Sequence, residues 1–152
     1  QLINYFQIGD KPLALVDLPG YGFAKVPLAV KNEWQRELGN YLQKRDPLVG
    51  LVLLMDIRHP MKEFDMAMLD WAIEAGMPVH VLLTKADKLK RGPAQSTMLQ
   101  VKKAVKHLGD QVTVQTFSSL TGDGIDVLKK RLDLWLTAPE ETDDQPAGNP
   151  EA

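Results

Sequence analysis

Residues 79–87 read VHVLLTKAD, an apolar run that passes directly into polar residues from Thr84 onward. A continuous apolar run of this length is typical of a β-strand that is covered on both faces. The same pattern of an apolar run closed by polar residues recurs at three other places in the chain: residues 14–17 (ALVD), 50–56 (GLVLLMD) and 112–119 (VTVQTFSS). The repetition predicts a buried sheet in which every strand ends in polar side chains.

Helical patterns separate these strands. Apolar residues recur at helical spacing in four segments: residues 28–44, 61–75, 93–108 and 125–136. Strand–helix alternation predicts an α/β fold of three layers, with a mostly parallel sheet between helices. At the amino end, the turn pair Gly9-Asp10 joins two short strands, residues 2–7 and 12–16, as a hairpin. One antiparallel strand is therefore expected at the edge of the sheet.

The polar strand ends predict a ligand site. Ligands of parallel α/β sheets bind beyond the carboxyl ends of the strands. Asp17, Asp56, Thr84 and Ser118 all follow apolar runs, so all of them are expected along the same edge.

The first candidate motif on this edge is Asp17-Leu18-Pro19-Gly20, a D-x-x-G pattern. A carboxylate at a strand end can hold Mg²⁺ directly or through water, because this cation prefers oxygen ligands. A glycine three residues later lets its backbone N–H approach a phosphate closely. The alternative is a plain type II turn, since these four residues are common by chance.

The second candidate motif is Thr84-Lys85-Ala86-Asp87. A carboxylate can accept two hydrogen bonds from the ring N–H and the exocyclic amine of guanine, while a lysine stem lies along the purine face. The alternative is a capped loop that leads into the basic stretch of residues 88–91 (KLKR).

The third candidate is Phe117-Ser118-Ser119, whose backbone amides and hydroxyls could face a purine oxygen. The alternative is a turn or N-cap of the last helix.

The order and spacing of the three motifs, each at a strand end, resemble the switch II, guanine-specificity and last-loop motifs of P-loop GTPases. Four longer segments make the resemblance closer, and they are similar to the EngB (YihA/YsxC) family of bacterial GTPases: QLINYF, LVDLPGYGFAKV, DIRHPMKEFDMAMLDW and LLTKADKL. The similarity extends from residue 1 to about residue 136.

The resemblance implies GTP and GDP as ligands and Mg²⁺ as cofactor. It implies that Asp17 holds the magnesium, through water, and that the Gly20 amide senses the γ-phosphate. Lys85 and Asp87 would then select guanine, and Thr84 would brace their loop. The last motif, residues 117–119, would close over the base, and no residue of the chain is assigned as catalytic.

The resemblance also implies a biological role. Members of this family assist assembly of the large ribosomal subunit, so precursor rRNA and ribosomal proteins are the expected partners, with a consequent role in growth and cell division. Tyr21 occupies the position where many small GTPases carry a glutamine that orients the attacking water. Slow hydrolysis of GTP is therefore expected.

One family feature is absent. The family opens with a strand and a G-x-x-x-x-G-K-S phosphate loop, and neither occurs in these 152 residues. The missing strand is expected to lie centrally, between the strands that end at Val16 and Met55, and its loss would impair the GTPase. Two alternatives follow: a non-catalytic ribosome- or RNA-binding module, or a doubly wound domain for another phosphorylated ligand.

Charge and composition divide the chain into two parts. Residues 139–152 contain five acidic residues and no basic one, which predicts a disordered tail after a GTPase domain of residues 1–138. Removing those five from the 20 acidic residues leaves 15 against 18 basic residues, a mildly basic body. The chain has no cysteine, which fits a reducing cytoplasm, and no apolar run of about 18 residues that could span a membrane. A cytoplasmic protein without membrane contact is expected, and a monomer is expected as its oligomeric state.

Overall fold

The computed structural model describes residues 4–10, 13–17 and 48–137, together with the single positions 32, 36 and 40. Its strands are β1 (Asn4–Gln7), β2 (Ala14–Asp17), β3 (Leu51–Asp56), β4 (Val79–Thr84) and β5 (Val112–Thr116). Its helices are α1 (Glu63–Glu74), α2 (Arg91–Val105) and α3 (Ile125–Thr137), with short 3₁₀ turns at Ala86–Lys88 and Lys106–Leu108. Positions 32, 36 and 40 are helical and exposed, in agreement with the helix predicted for residues 28–44.

The strands form two sheets. β1 and β2 pair antiparallel, with Asn4 opposite Asp17, and Gly9 takes a φ of 58° in the connecting turn. β3, β4 and β5 are parallel neighbours in that order. The α/β class, the hairpin and the parallel sheet are thereby confirmed. The strands do not form one continuous sheet, because no strand in the described ranges pairs with both β2 and β3.

The main core lies on one face of the parallel sheet, where α1 and α2 cover it. Alternate residues of β3 and all three odd-numbered positions of β4 point into this core: Leu51, Leu53, Met55, Val79, Val81 and Leu83. The helices add their own buried side chains: Phe64, Met68, Leu69, Ala72, Ala94, Val101 and Val105. Burial of each large apolar side chain contributes about 1.5–3 kcal/mol, so this face dominates the stability of the described unit.

Helix α3 covers the opposite face more loosely. None of its residues is fully buried, although Trp135 packs edge-on against His80 of β4. The ring of Trp135 also lies directly over Gly50, where a Cβ atom would overlap it. The close approach of strand and helix at this point therefore requires glycine.

The predicted helix ends differ slightly from the observed ones. α2 begins at Arg91, two residues earlier than the predicted start at Pro93. Pro93 fits inside the first turn because proline is tolerated there. Its α-helical part ends at Val105, and a 3₁₀ turn continues to Gly109, which takes a φ of 84°.

The predicted acidic tail, residues 139–152, lies outside the described residues. None of the described helices is long and apolar enough to cross a membrane.

Candidate functional site

Three parallel strands end at a common edge. Asp56 at the end of β3 lies in register with Thr84 at the end of β4, and Leu83 lies in register with Thr116 of β5. Two backbone bonds tie the next residues together: Ala86 N–H donates to the Phe117 carbonyl at 3.1 Å, and Phe117 N–H donates to the Leu83 carbonyl at 2.9 Å. The second and third predicted motifs are therefore joined into one site.

The loop of the second motif is held at both ends. Thr84 donates its hydroxyl to the Met55 carbonyl at 3.2 Å, which fastens the end of β4 to β3. Lys85 then adopts a left-handed backbone, with φ 57° and ψ 35°, before the turn Ala86–Lys88 begins. A lysine in this region costs about 1 kcal/mol or more. The conformation turns the chain sharply at the strand end, so that both Lys85 and Asp87 remain exposed at this edge.

Asp56 organises the cations at this edge. Its Oδ1 accepts from the Arg58 backbone N–H at 2.9 Å and from Nε at 3.0 Å, and its Oδ2 accepts from the guanidinium at 2.8 Å. Lys85 Nζ lies 3.4 Å from the same Oδ2. The side-chain hydrogen bond from Arg58 is the main cause that holds the pKa of Asp56 well below its usual range, with Lys85 contributing, and burial opposes them. The pKa of Arg58 is raised chiefly by the same bond.

The D-x-R spacing of Asp56 and Arg58 is visible in the sequence, and it is the signal that could have predicted this pair. What the spacing does not show is that Lys85, 29 positions further along, lies against the same carboxylate.

Asp87 and Ser118 form the other half of the site. Ser118 is completely buried, and its hydroxyl donates to Asp87 Oδ1 at 2.7 Å while accepting from the Thr121 backbone N–H at 3.2 Å. Asp87 is exposed, and within the described part of the chain its Oδ2 accepts no hydrogen bond. The arrangement fixes one carboxylate oxygen and leaves the other available to a ligand.

The remaining predicted residues are not brought together in the same way. Phe117 is half-buried and contributes its backbone to the joined loops, whereas Ser119 is exposed. Asp17 is exposed at the end of β2, opposite Asn4 in the hairpin. Leu18, Pro19 and Gly20, with the neighbouring Tyr21, lie outside the described residues.

A carboxylate at the end of β2 fits Mg²⁺ in donor chemistry, since oxygen ligands are what the ion prefers. No group of three or more His, Asp or Glu side chains able to hold a metal occurs among the described residues. Asp17 would therefore need ligands other than a protein cluster of that kind, such as water and phosphate oxygens.

A row of hydrogen-bonded polar side chains, which the sequence pattern did not predict, crosses β4 and β5. His80 is buried, with Nδ1 2.6 Å from Thr113 Oγ1 and Nε2 2.6 Å from Gln115 Oε1. The Gln115 amide nitrogen donates to the carbonyls of Thr116 and Gly124, so its oxygen must face the histidine. Nε2 therefore carries the proton, and Nδ1 accepts from the Thr113 hydroxyl. Burial lowers the pKa of His80, and the Arg131 charge adds to this.

No protein-family model matches the chain. Several curated proteins do. A probable GTP-binding protein EngB from Vibrio parahaemolyticus is 56% identical over 136 residues, which cover 90% of this chain and 62% of that protein. The corresponding protein of Vibrio cholerae O395 is 53% identical, over 96% of this chain and 69% of its own length. The chain thus spans about two thirds of the length of the curated relatives that it matches.

Solved structures of other proteins share the fold of this chain. A crystal structure of a probable GTP-binding protein engB superimposes with a TM-score of 0.68 at 20% identity, over 86% of this chain and 81% of that one. Elongation factor SelB of Methanococcus maripaludis, solved with a GTP analogue, gives a TM-score of 0.65 at 19% identity, over 92% of this chain and 28% of its own. The fold is that of the P-loop GTPases, and the sequence identities above show that the chain belongs to the EngB family.

Proposed function

We propose that the chain forms the base-reading part of a protein that binds guanine nucleotides and slowly hydrolyses GTP. The observation that carries this proposal is the pair Asp87–Ser118, placed beside Lys85 at the carboxyl edge of a parallel sheet. The family membership supports it, since the relatives bear the name of GTP-binding proteins.

Each side chain would have a defined role. The free oxygen of Asp87 and the oxygen shared with Ser118 would accept from the ring N–H and the amine of guanine, groups that adenine does not offer in this pattern. The Lys85 stem would lie along the purine face, with its ammonium held by Asp56. Thr84 would keep the loop in place through its bond to β3.

The phosphate side of the site rests on the D-x-x-G motif. Asp17 would hold Mg²⁺ through water, as the family resemblance implies, and the Gly20 amide would contact the γ-phosphate. When bound, the ion supplies positive charge to the phosphates. Tyr21 offers no carboxamide to orient water, so we infer that turnover is slow without a further activator.

Replacement of Asp87 by asparagine tests base reading in the full-length protein. Asp87→Asn exchanges one acceptor for a donor, so GDP should bind at least about tenfold more weakly, while xanthosine diphosphate, which carries a carbonyl in place of the amine, should bind more tightly. Competition between the two fluorescently labelled nucleotides measures the change.

Asp70→Asn, on the exposed side of α1, is the matched control and should alter neither affinity. An unchanged preference of Asp87→Asn for guanine would eliminate the assigned role of Asp87.

We further propose that the protein acts in assembly of the large ribosomal subunit, in the cytoplasm and as a monomer, and thereby affects growth and cell division. The family resemblance supports this role. Full-length protein should cosediment with large-subunit particles in a sucrose gradient when a non-hydrolysable GTP analogue is present, and less with GDP. Equal cosedimentation with the small subunit, or none with either nucleotide, would refute it.

A further inference from the structure

A cavity of about 460 Å³ lies away from the carboxyl edge of the sheet. Its walls come from the beginnings of β4 and β5, from the end of α2 with the following turn, and from α3. β5 pairs only with β4 among the described strands, so the cavity follows the outer edge of β5 between the two helices. It is therefore separate from the guanine site proposed above, which lies at the opposite strand ends.

Three permanent cations line this cavity. Lys102 and Lys106 come from α2 and its extension, and Arg131 comes from α3. A helical rise of 1.5 Å per residue places the two lysines about 6 Å apart along the axis, comparable to the spacing of neighbouring phosphates in a nucleic acid strand. Asp110 is the one acidic residue among the described residues of the lining.

Within the described ranges of the chain, these cations have no ionic partner. Among the residues that the structure describes, the two ion pairs both involve Asp56, and neither Asp110 nor any other carboxylate pairs with the lysines or with Arg131. The lysines lie at the carboxyl end of α2, where the helix dipole favours positive charge, so their own helix explains their presence. Arg131 lies in the middle of α3 and is half-buried, a position where an unpaired cation loses hydration without such compensation.

Apart from these cations and Asp110, the described lining residues are apolar or polar without a permanent charge. Valines from both helices and from β5 line the cavity, and so does His80, whose pKa is lowered by burial. None of the described lining residues is Phe, Tyr or Trp, and the His80 ring is buried, so the described lining offers no exposed platform on which a base could stack. Charge contacts to phosphates, without base recognition, are the chemistry that this surface supports.

We propose that the cavity edge formed by Lys102, Lys106 and Arg131 binds the phosphodiester backbone of a nucleic acid, independently of sequence. Cations on both sides of an open strand edge suit an extended polyanion better than a single phosphate ion. The site does not depend on guanine nucleotide, so its test can be made without one.

The test measures binding of a fluorescently labelled RNA hairpin of arbitrary sequence, and of the matching DNA hairpin, by anisotropy at several KCl concentrations. Wild type should bind both. The variant Lys102→Gln/Lys106→Gln/Arg131→Gln should bind at least about tenfold more weakly, and its slope of log K against log salt should be smaller by about 2 to 3. Lys102→Gln/Lys106→Gln, which keeps the half-buried Arg131, should lose about 2 from the slope and retain the wild-type fold.

The matched control is Lys103→Gln/Lys129→Gln/Lys130→Gln, which removes the same charge from exposed positions of the same helices that do not line the cavity. Its slope should stay within about 1 of wild type. Equal losses in the two triple variants, absence of binding by wild type, or equally tight binding of polyglutamate through the same three residues would each overturn the proposal.

Discussion

Two aspartates at the carboxyl edge of the sheet differ in their availability to a ligand because their hydrogen-bond partners differ. Asp56 is enclosed by Arg58 and Lys85, and its two oxygens are committed to them. Asp87 is bound through one oxygen by the buried Ser118 hydroxyl, which leaves the other free. The first aspartate therefore stabilises the loop, and the second is the one that a ligand can reach.

His80 gives a prediction at the same scale. Its pKa is lowered in the folded protein, mainly by burial, so the unfolded chain binds more protons as the pH falls below the ordinary value of about 6.5. The free energy of unfolding should therefore decrease as the pH falls from 7.5 through 6.5 towards the folded pKa. The change amounts to about 1.4 kcal/mol for each unit that separates the two pKa values. Urea unfolding at several pH values measures it.

His80→Gln keeps a polar group but cannot titrate, so its free energy of unfolding should depend less on pH over this range. His107→Gln, at an exposed position, should keep the wild-type dependence. Parallel curves for wild type and His80→Gln would contradict the assigned role of burial.

At the scale of elements, the turn between β5 and α3 combines two glycines of positive φ with two hydrogen bonds to neighbouring segments. Gly122 and Gly124 both have positive φ, at 81° and 89°. The Gly124 carbonyl accepts from the Gln115 amide at 2.8 Å, and Ser118 N–H donates to the Asp123 carbonyl at 3.0 Å. The turn therefore connects the candidate site with the row of polar side chains around His80.

Substitution of the two glycines should have unequal effects. A Cβ at position 124 would overlap the Thr116 carbonyl oxygen and lie 2.7 Å from Nε2 of Gln115, whereas at position 122 it would meet only Ile125 Cδ1 at 3.7 Å. Gly122→Ala should cost about 1–2 kcal/mol from backbone strain alone. Gly124→Ala adds overpacking and should cost about 2–5 kcal/mol. Denaturant unfolding compares them, and equal losses would show that the close approach is not a constraint.

At the scale of the whole molecule, charge is separated along the chain. The acidic residues of 139–152 account for the net charge of −2, since the body alone has 18 basic and 15 acidic residues. Two groups of cations in the described structure lie at defined sites: Arg58 and Lys85 contact Asp56, and Lys102, Lys106 and Arg131 line the cavity beside β5.

The acidic composition of residues 139–152 predicts that they add nothing to the packed core. A chain that ends at residue 138 should therefore keep its melting temperature within about 2 °C, equivalent to about 0.5 kcal/mol. Calorimetry on the shortened and complete chains measures the difference. A fall of more than about 5 °C would show that the segment packs against the body.

The sequence by itself determined the order of strands and helices. The spacing of apolar residues and the positions of turn residues are local properties, so each segment could be predicted from its own residues. It also predicted which strand ends would be polar, and parallel topology then required those of β3, β4 and β5 to share an edge. The family membership, confirmed by the relatives, rests on the same local segments.

Only the tertiary structure decided which side chains meet. The pairs Lys85–Asp56 and Asp87–Ser118 join residues about 30 positions apart, and the row of polar side chains around His80 spans two neighbouring strands. Sequence periodicity shows the face on which a side chain lies but not its partner across the sheet, which depends on strand register and on the hydrogen-bonding groups nearby. The cavity beside β5 arises for the same reason, since its cations come from two helices that only folding brings to one edge.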